Sequence, residues 1–186
     1  MQPVVLRTER LVLDQLREAD VDDVARYCQE PVMSRYMTLP SPYRREDAEF
    51  FVSQHVPAGW RSAEEFTWAI RGRGDDALLG VVAHRTALCD LGYWLGAEHR
   101  GNGYMAEAVD GVLSWLAVQG TRVVTWECLV GNRASAAIAR RTGFRYTGTG
   151  PSNVVFRDGS QPPAWHGVRD ADHPVDHEGP WPEESY

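Results

Sequence analysis

The chain has 186 residues, of which 43% are hydrophobic and 24% are charged, and its formal net charge is −7. A chain of this length and composition buries enough surface to fold as a globular domain, which excludes a protein disordered throughout. All 19 basic residues are arginine. The absence of lysine excludes P-loop phosphate binding and Schiff-base catalysis, because both need that side chain.

The acidic charge is concentrated at one end of the sequence. From Arg157 onward, seven acidic residues accompany two arginines, a net charge of −5, so residues 1–156 carry only −2. Nucleic-acid binding usually shows a basic stripe, which is absent here. No apolar run approaches the ~18 residues that cross a bilayer. We therefore predict a protein without nucleic-acid or membrane partners.

Three cysteines, Cys28, Cys89 and Cys128, are widely spaced and form no CxxC pair. This usage favours buried thiols in a reducing compartment, and no hydrophobic signal core stands near the first residues. The sequence therefore predicts a cytoplasmic protein. His173 and His177 resemble a metal-binding pair, but no further ligand lies nearby in the sequence, so we expect no metal site.

The first half of the chain predicts two helices and a group of antiparallel strands. Pro57 and Gly59 are expected to end the second helix, and the turn residues RGRGDD predict a hairpin between the strands on either side. The predicted elements are a strand over 10–16, a helix over 20–28, a loop over 34–43, a helix over 45–55, and strands over 66–71, 78–85 and 89–95.

The second half changes to an alternation of helices and strands. The predicted elements are a helix over 102–119, a strand over 123–129, a helix over 134–141, and strands over 144–149 and 165–169. Residues 89–129 thus form one strand–helix–strand unit within an α/β fold. We expect residues 1–169 to form the domain, and residues 170–186 to form an acidic, flexible tail.

The segment 98–105 (EHRGNGYM) lies between a predicted strand and the long helix. Gly101 and Gly103 allow the backbone to turn sharply and to approach a ligand closely. The first amides of a helix lack partners within that helix, and together with the helix dipole they form an anion site. Arg100 adds a full positive charge. This loop therefore predicts a phosphate-binding site.

The same glycines fit two different phosphate-binding patterns. Gly101, Gly103 and Ala106 match the dinucleotide fingerprint GxGxxA, and Glu127 follows where a ribose-binding acid would stand, which is typical of a nicotinamide-dependent oxidoreductase. However, the loop follows an antiparallel hairpin, and only about 60 residues come after Glu127. That remainder is too short for the second half of a doubly wound sheet.

The second pattern gives the better match. Arg100, Gly101, Asn102 and Gly103 resemble the pyrophosphate loop of the GCN5-related N-acetyltransferase (GNAT) superfamily. Other segments match in order the ribosomal-protein-alanine acetyltransferase (RimJ/RimL-like) subgroup, and the resemblance covers about residues 4–169. These segments are TERLVL (8–13), GYWL (92–95), EA (107–108), Asn132 with Ser135, and Gly143 with Phe144.

The resemblance implies a GNAT fold, in which a mixed, mostly antiparallel sheet has flanking helices and a splayed strand pair that holds acetyl-CoA. It implies acetyl-CoA as co-substrate, no metal, and a primary amine as acceptor. The implied cofactor-binding residues are Trp94, Leu95, Arg100, Gly101, Asn102, Gly103, Tyr104, Met105 and Asn132. Trp94 and Leu95 would offer free backbone groups to the pantetheine arm, one of which would polarise the thioester carbonyl.

Ser135 matches the subgroup's proton donor to the departing thiolate, and Glu127 is our candidate general base. Each also has a structural interpretation, since Asn132 and Ser135 can serve as helix caps and Glu127 can pair with an arginine on the surface. Asp90 and His84 are weaker candidate bases. Glu107, in the first turn of the long helix, is expected to be structural.

Two positions depart from the family pattern. Met105 replaces the small residue that closes the loop, and Ala139 stands where many members carry a tyrosine. If the Met105 side chain points outward, it narrows the path of the cofactor. An acyl-CoA-binding module without turnover is therefore a second hypothesis. Trp60, Trp68, Trp94 and Trp126 are expected to lie in the core. The acceptor is not identified by any motif, and a homodimer is possible by analogy with the family.

Overall fold

The computed structural model describes residues 1–172 and 180–186. Its centre is an eight-stranded sheet with the strand order β1-β2-β3-β4-β5-β6-β8-β7. Each neighbouring pair is antiparallel except β5 and β6, which are parallel. The strands are β1 (Leu6–Arg7), β2 (Leu11–Asp14), β3 (Glu65–Gly72), β4 (Gly80–Arg85), β5 (Asp90–Leu95), β6 (Val123–Leu129), β7 (Arg145–Pro151) and β8 (Pro163–Asp170).

Helices cover both faces of this sheet. They are α1 (Val21–Cys28), α2 (Pro31–Tyr36), α3 (Arg45–Phe50), α4 (Val56–Ser62), α5 (Tyr104–Val118) and α6 (Arg133–Arg141). On one face of β3, Phe66 and Trp68 pack against Trp115 of α5, at ring distances of 5.4 and 5.3 Å. On the other face, Arg71 reaches Asp20 at the start of α1. We refer to these as the α5 face and the α1 face.

The mixed sheet confirms the predicted α/β fold. The hairpin β3–β4 and its antiparallel neighbour β5 occur in the predicted order. Helix α5 then provides the crossover that two parallel strands require, so that β6 lies beside β5 in the same direction. Trp60, Trp68 and Trp126 are each at most 2% exposed, which confirms that they belong to the core.

The prediction that Pro57 and Gly59 end a helix was wrong, because the chain continues as helix to Ser62. A π-helical stretch, Phe51–His55, joins α3 to α4. Pro57 then falls in the first turn of α4, where a missing N–H costs little. At Gly59 a Cβ would lie only 2.8 Å from the carbonyl oxygen of Glu65, so the glycine permits close packing of α4 on β3.

The other differences from the prediction concern short elements and the boundaries of longer ones. Strand β1 has only two residues, and α2 occupies part of the segment 34–43 that was predicted to be a loop. Pro31 begins α2 at a position that proline favours. The boundaries of α5 and β4 differ from the predicted ones by two residues. No helix in the described part of the chain is long and apolar enough to cross a bilayer.

The acidic end of the chain also differs from the prediction over residues 180–186. Trp181 is only 6% exposed and belongs to the hydrophobic core, and Ser185 is 1% exposed. An aromatic side chain thus packs this segment against the domain, within the stretch 170–186 for which the sequence predicts a flexible tail. His173 and His177 lie outside the described residues.

Candidate active site

Strands β5 and β6 separate soon after they meet. Their register contains one pair, Asp90 with Thr125, although β5 continues to Leu95 and β6 to Leu129. A cleft of about 270 Å³ opens between the diverging strands and is lined by residues from both. The splayed strand pair that the resemblance implied is therefore present.

The register of β5 determines which backbone groups face this gap. The amide of Gly96 donates to the carbonyl oxygen of Leu79 at 3.0 Å, and hydrogen-bonded positions alternate along an antiparallel pair. The backbone groups of Trp94 are thus directed at Val81 on β4, its register partner. Those of Leu95 face the gap. The expectation of free backbone groups fits Leu95 and does not fit Trp94, which contributes its side chain to the cleft wall instead.

The glycine-rich loop forms a sharp turn before α5. Gly101 and Gly103 have φ angles of +80° and +77°, values that residues with a Cβ rarely adopt. Gly103 directly precedes the first residue of α5, so the unpaired amides of that helix open at the loop. Arg10 holds the loop from outside, because its guanidinium donates to the carbonyl oxygen of Asn102 at 3.0 Å and lies 5.0 Å from the ring of Tyr104.

Arg100 is directed at the end of β5. Its Nε and Nη2 donate to the carbonyl oxygen of Leu95 at 3.0 and 2.7 Å, and Nη2 also contacts Glu30 at 2.5 Å. The charge that the sequence assigned to phosphate binding is thus partly balanced by Glu30. Because the carbonyl oxygen of Leu95 accepts these hydrogen bonds from Arg100, the amide of Leu95 is the backbone group that stays directed into the gap.

The side chain of Met105 points into the protein. It is 3% exposed and belongs to the hydrophobic core. Of the two orientations that the sequence left open, the structure therefore shows the inward one, which leaves the path of a ligand along the loop clear.

We expect Met105→Ala to destabilise the fold by about 2–4 kcal/mol, because it leaves a cavity beneath the first turn of α5. The affinity for acetyl-CoA should stay within about threefold of the wild-type value, since loop amides rather than this side chain face the ligand. Chemical denaturation and titration calorimetry measure the two quantities. Tighter acetyl-CoA binding by the variant would show that Met105 obstructs the loop.

Asn132 and Ser135 lie together at the start of α6. The Oδ1 atom of Asn132 accepts from the amide of Ser135 at 3.2 Å, so Asn132 is the N-cap of α6. Both side chains also line the cleft. The capping interpretation is therefore confirmed, and the cap uses Oδ1, so that the Nδ2 donor of Asn132 is available to a ligand.

The hydroxyl of Ser135 belongs to a three-residue network on the α5 face. Its Oγ atom lies 3.0 Å from the Tyr93 hydroxyl, and the indole N–H of Trp126 lies 3.1 Å from both oxygens. The Tyr93 hydroxyl can also donate to the carbonyl oxygen of Ser135, at 3.2 Å. Because an indole can only donate, both oxygens accept from Trp126. When the Tyr93 hydroxyl donates to Ser135, the Ser135 proton is left for another acceptor.

Tyr93 is a site residue that the sequence analysis missed. It lines the cleft, and burial raises the pKa of its hydroxyl above the ordinary value. The hydroxyl therefore stays protonated at neutral pH and acts as a neutral hydrogen-bond donor. Tyr93 lies in the matched segment GYWL, but no pattern in the sequence identified a hydrogen-bond partner for its hydroxyl.

Glu127 lies on the α1 face of the gap, opposite to the hydroxyl network. Its carboxylate accepts from the Ser152 hydroxyl at 2.9 Å and from the Asn153 amide at 2.8 Å, and His166 lies 3.6 Å away. The side chain is 10% exposed. The alternative of an exposed glutamate paired with an arginine therefore does not describe Glu127.

The two weaker candidate bases form their hydrogen bonds away from the cleft. Asp90 is buried and forms a two-point contact with Arg85, one hydrogen bond of which measures 2.8 Å. His84 is buried against Phe66 with its Nδ1 atom 3.0 Å from the carbonyl oxygen of Asp90, and burial lowers its pKa. Neither residue is among those that line the cleft.

The α1 face of the cleft forms a chamber beside the gap. Its floor carries small residues, Ala83 and Gly92, and at Gly92 an added Cβ would meet nothing within 4 Å. Its walls come from the segment 36–43, Phe51, and residues 152–156. Segments that carried no interpretable motif thus build the space next to Glu127.

Glu107 has the structural role that the sequence suggested. Its carboxylate accepts from the Thr8 hydroxyl at 2.5 Å and from the backbone and side chain of Arg10, both at 2.7 Å. Burial alone would raise the pKa of Glu107, but these hydrogen bonds outweigh it and lower the pKa. Glu107 thereby ties α5 to the chain that precedes β2.

We expect Glu107→Gln to reduce the free energy of unfolding by about 1–3 kcal/mol at pH 7, the usual range for hydrogen bonds to a charged group. A lowered pKa stabilises the fold above the unfolded-state value of about 4.5, and this contribution is lost as the pH falls through the folded-state pKa. The difference between the two proteins should therefore shrink as the pH falls below 4.5. Urea unfolding from pH 3 to 8 tests this, with the exposed Glu9→Gln as control. A difference that stays constant over this range would contradict it.

Within residues 1–172 and 180–186, no three His, Cys, Asp or Glu side chains come together as a metal site. The three cysteines are free.

Comparison with known proteins identifies the family of this chain. The acetyltransferase (GNAT) domain pattern matches residues 10–145. An uncharacterised N-acetyltransferase of Bacillus subtilis (strain 168), YoaA, is 25% identical over 152 residues, which cover 77% of this chain and 84% of that protein. The ribosomal-protein-serine acetyltransferase of Escherichia coli (strain K12) is 32% identical over 78 residues, or 38% of this chain and 42% of that enzyme.

A solved structure shares the whole architecture. RimL, a ribosomal L7/L12 α-N-protein acetyltransferase in complex with coenzyme A, superimposes with a TM-score of 0.76 at 20% identity. The match covers 91% of this chain and 99% of that one. The fold described above is therefore shared with a protein whose structure was solved in complex with coenzyme A.

Proposed function

Because the chain belongs to the GNAT acetyltransferase family, we propose that its cleft transfers the acetyl group of acetyl-CoA directly to a primary amine that enters from the α1 face. The observation that carries this proposal is the gap between β5 and β6, with hydroxyl donors on one side and a carboxylate on the other. The enzyme is an N-acetyltransferase with acetyl-CoA as co-substrate.

The cofactor is bound by the loop and the gap together. The amides at the start of α5 face its phosphates, and the pantetheine arm follows the open edge of β5 toward the amide of Leu95. Asn132 offers its free Nδ2 donor from α6. The thioester carbonyl then lies within reach of the Leu95 amide, which stabilises negative charge on its oxygen.

The chemical step moves two protons. The acceptor arrives as an ammonium ion at neutral pH and must lose a proton before its nitrogen can attack the thioester carbon. Glu127 takes the proton, directly or through a water. A bond forms between nitrogen and the acetyl carbon, the carbon–sulfur bond breaks, and the thiolate leaves toward the α5 face. The hydroxyl pair of Ser135 and Tyr93 donates a proton to that thiolate, which leaves as the free thiol of CoA. The nitrogen loses its second proton as the amide forms, and this proton replaces the one that the hydroxyl pair has given up.

The charges around the chamber favour a cationic acceptor. Glu65 and Arg85 are register partners across β3 and β4, and Arg85 pairs with Asp90 on β5. Burial would lower the pKa of Arg85, but Asp90, Glu65 and Glu127 together raise it. Asp90 contacts this guanidinium and the two glutamates act on it at longer range, with His55 beside Glu65 and His166 beside Glu127. An amine with a second positive charge fits this field better than an acidic acceptor.

A panel of acceptors tests the proposal with thiol release as the readout. We expect a diamine and a basic peptide with a free N-terminus to react, and an acidic peptide of equal length to react at least tenfold more slowly in kcat/KM. The two reactive acceptors distinguish a small-molecule source of the amine from a protein source. Equal rates for the basic and acidic peptides would refute the charge argument.

Substitution at Gly92 tests where the acceptor binds. Gly92→Ala and Gly92→Leu should lower kcat/KM for the amine progressively, because the new side chain fills the floor of the chamber. Acetyl-CoA should still raise the melting temperature of both variants, since it binds across the gap. Loss of acetyl-CoA binding in Gly92→Ala would contradict this placement.

The free thiols of Cys28, Cys89 and Cys128 support a cytoplasmic location. A homodimer and the absence of nucleic-acid and membrane partners stay predictions from the sequence.

A further inference from the structure

The segment 180–186 packs on α6, the helix that carries Asn132 and Ser135. The Nε atom of Arg133 donates to the carbonyl oxygen of Glu184 at 3.0 Å. The guanidinium of Arg140 lies 5.7 Å from the ring of Trp181 and 4.2 Å from that of Tyr186. Two arginines of α6 thus hold the segment by polar and cation–π contacts.

Trp181 reaches past α6 to the residues behind the hydroxyl network. Its ring lies 5.6 Å from Trp126 at an interplanar angle of 57°, and 5.9 Å from Tyr146. Trp181 is 6% exposed and Trp126 is 2% exposed. The indole of Trp126 is therefore enclosed on the side where Trp181 covers it.

The position of the Trp126 ring determines where its only donor points. That N–H lies 3.1 Å from the oxygens of both Ser135 and Tyr93. A hydroxyl that accepts from the indole has its own proton directed elsewhere. If the indole turned, both hydroxyls would lose this donor, and the 3.0 Å contact between them would be left to set the direction of the Ser135 proton.

We propose that the segment 180–186 is a positioning element for acetyl transfer, in which Trp181 fixes the indole of Trp126 and thereby aims the Ser135 hydroxyl at the departing thiolate. The inference rests on the proposed role of Ser135. Trp181 is not among the residues that line the cleft, and its ring contact with Trp126 connects it to the hydroxyl network.

Four variants of the full chain test this by steady-state kinetics with the best acceptor of the panel. Ser135→Ala should lower kcat by roughly 10²-fold, the scale of a single acid–base group. Trp181→Ala should lower kcat by about tenfold and leave the KM for acetyl-CoA within twofold. Trp181→Phe should recover most of kcat. In the double variant Ser135→Ala/Trp181→Ala, kcat should equal that of Ser135→Ala alone.

Val112→Ala is the control for lost stability, since Val112 is a buried residue of α5 that does not line the cleft. It should retain the wild-type kcat at a comparable loss of melting temperature. Wild-type kcat in Trp181→Ala, or multiplication of the two losses in the double variant, would overturn the inference. An unchanged kcat in Ser135→Ala would instead refute the role of Ser135, and the inference would fall with it.

Discussion

Replacement of Glu127 by glutamine is expected to lower kcat about 10²-fold at neutral pH. The amide has the shape of the carboxylate and can still accept from the Ser152 hydroxyl, but it cannot take a proton from the acceptor. The KM for acetyl-CoA should change little, because Glu127 lies on the α1 face and the cofactor's thiol leaves toward the other face. Thiol release at saturating amine measures kcat directly.

The alternative to a general base is an anchor for the loop that contains Ser152 and Asn153. Loss of that anchor would raise the KM for the amine and leave kcat near the wild-type value. Such a result would assign Glu127 a structural role. Glu49→Gln, on the exposed side of α3 and paired only with Arg45 among the described residues, is the matched control and should match the wild type in both parameters.

The largest loss of stability is expected from Arg71→Met. Arg71 is 2% exposed, and its guanidinium contacts Asp14 at 2.8 Å and Asp20 at 2.9 and 2.7 Å. It also donates to the backbone carbonyls of Gln15 and Asp76. Removal of the guanidinium leaves the buried Asp20 carboxylate without its cationic partner, which costs about 3–5 kcal/mol. For a chain of this size the melting temperature should fall by about 10 °C or more.

A neighbouring arginine provides the control for this variant. Arg17 also contacts Asp14 and Asp76, but its side chain is 47% exposed, and surface pairs contribute about 1 kcal/mol or less. Arg17→Met should therefore shift the melting temperature by only a few degrees. Equal shifts in the two variants would show that the burial of Arg71 does not determine how much its ion pairs contribute to stability.

The regular part of the fold could be predicted from local patterns. The alternation in β2, the turn residues RGRGDD between β3 and β4, Gly120 after α5, and the β-branched run of β6 are properties of short segments, and each predicted its element. The error at Pro57 had a different origin. Proline and glycine usually end a helix, but here packing against β3 selects Gly59 and the π-helical stretch accommodates Pro57. Such tertiary effects leave no local pattern.

The same division applies to the site. Asn132 and Ser135 could be named because they belong to one short motif at a helix start. Tyr93 and Trp126 come from two strands, and only the parallel pairing of β5 with β6 brings their polar atoms to Ser135. The position of Trp181 depends on contacts with α6 and Trp126 that no spacing in the sequence reveals.

One measurement tests the central claim, that this cleft transfers acetyl groups to amines. The purified chain would be incubated with acetyl-CoA and each amine of the panel, and mass spectrometry would detect the N-acetylated product, with binding followed in parallel by thermal shift against acetyl-CoA and NADH. We predict that acetyl-CoA raises the melting temperature and that NADH does not. We also predict that at least one cationic primary amine yields a product about 42 Da heavier, which is the mass that one acetyl group adds. Binding of acetyl-CoA without product from any amine would contradict the account and identify an acyl-CoA-binding module.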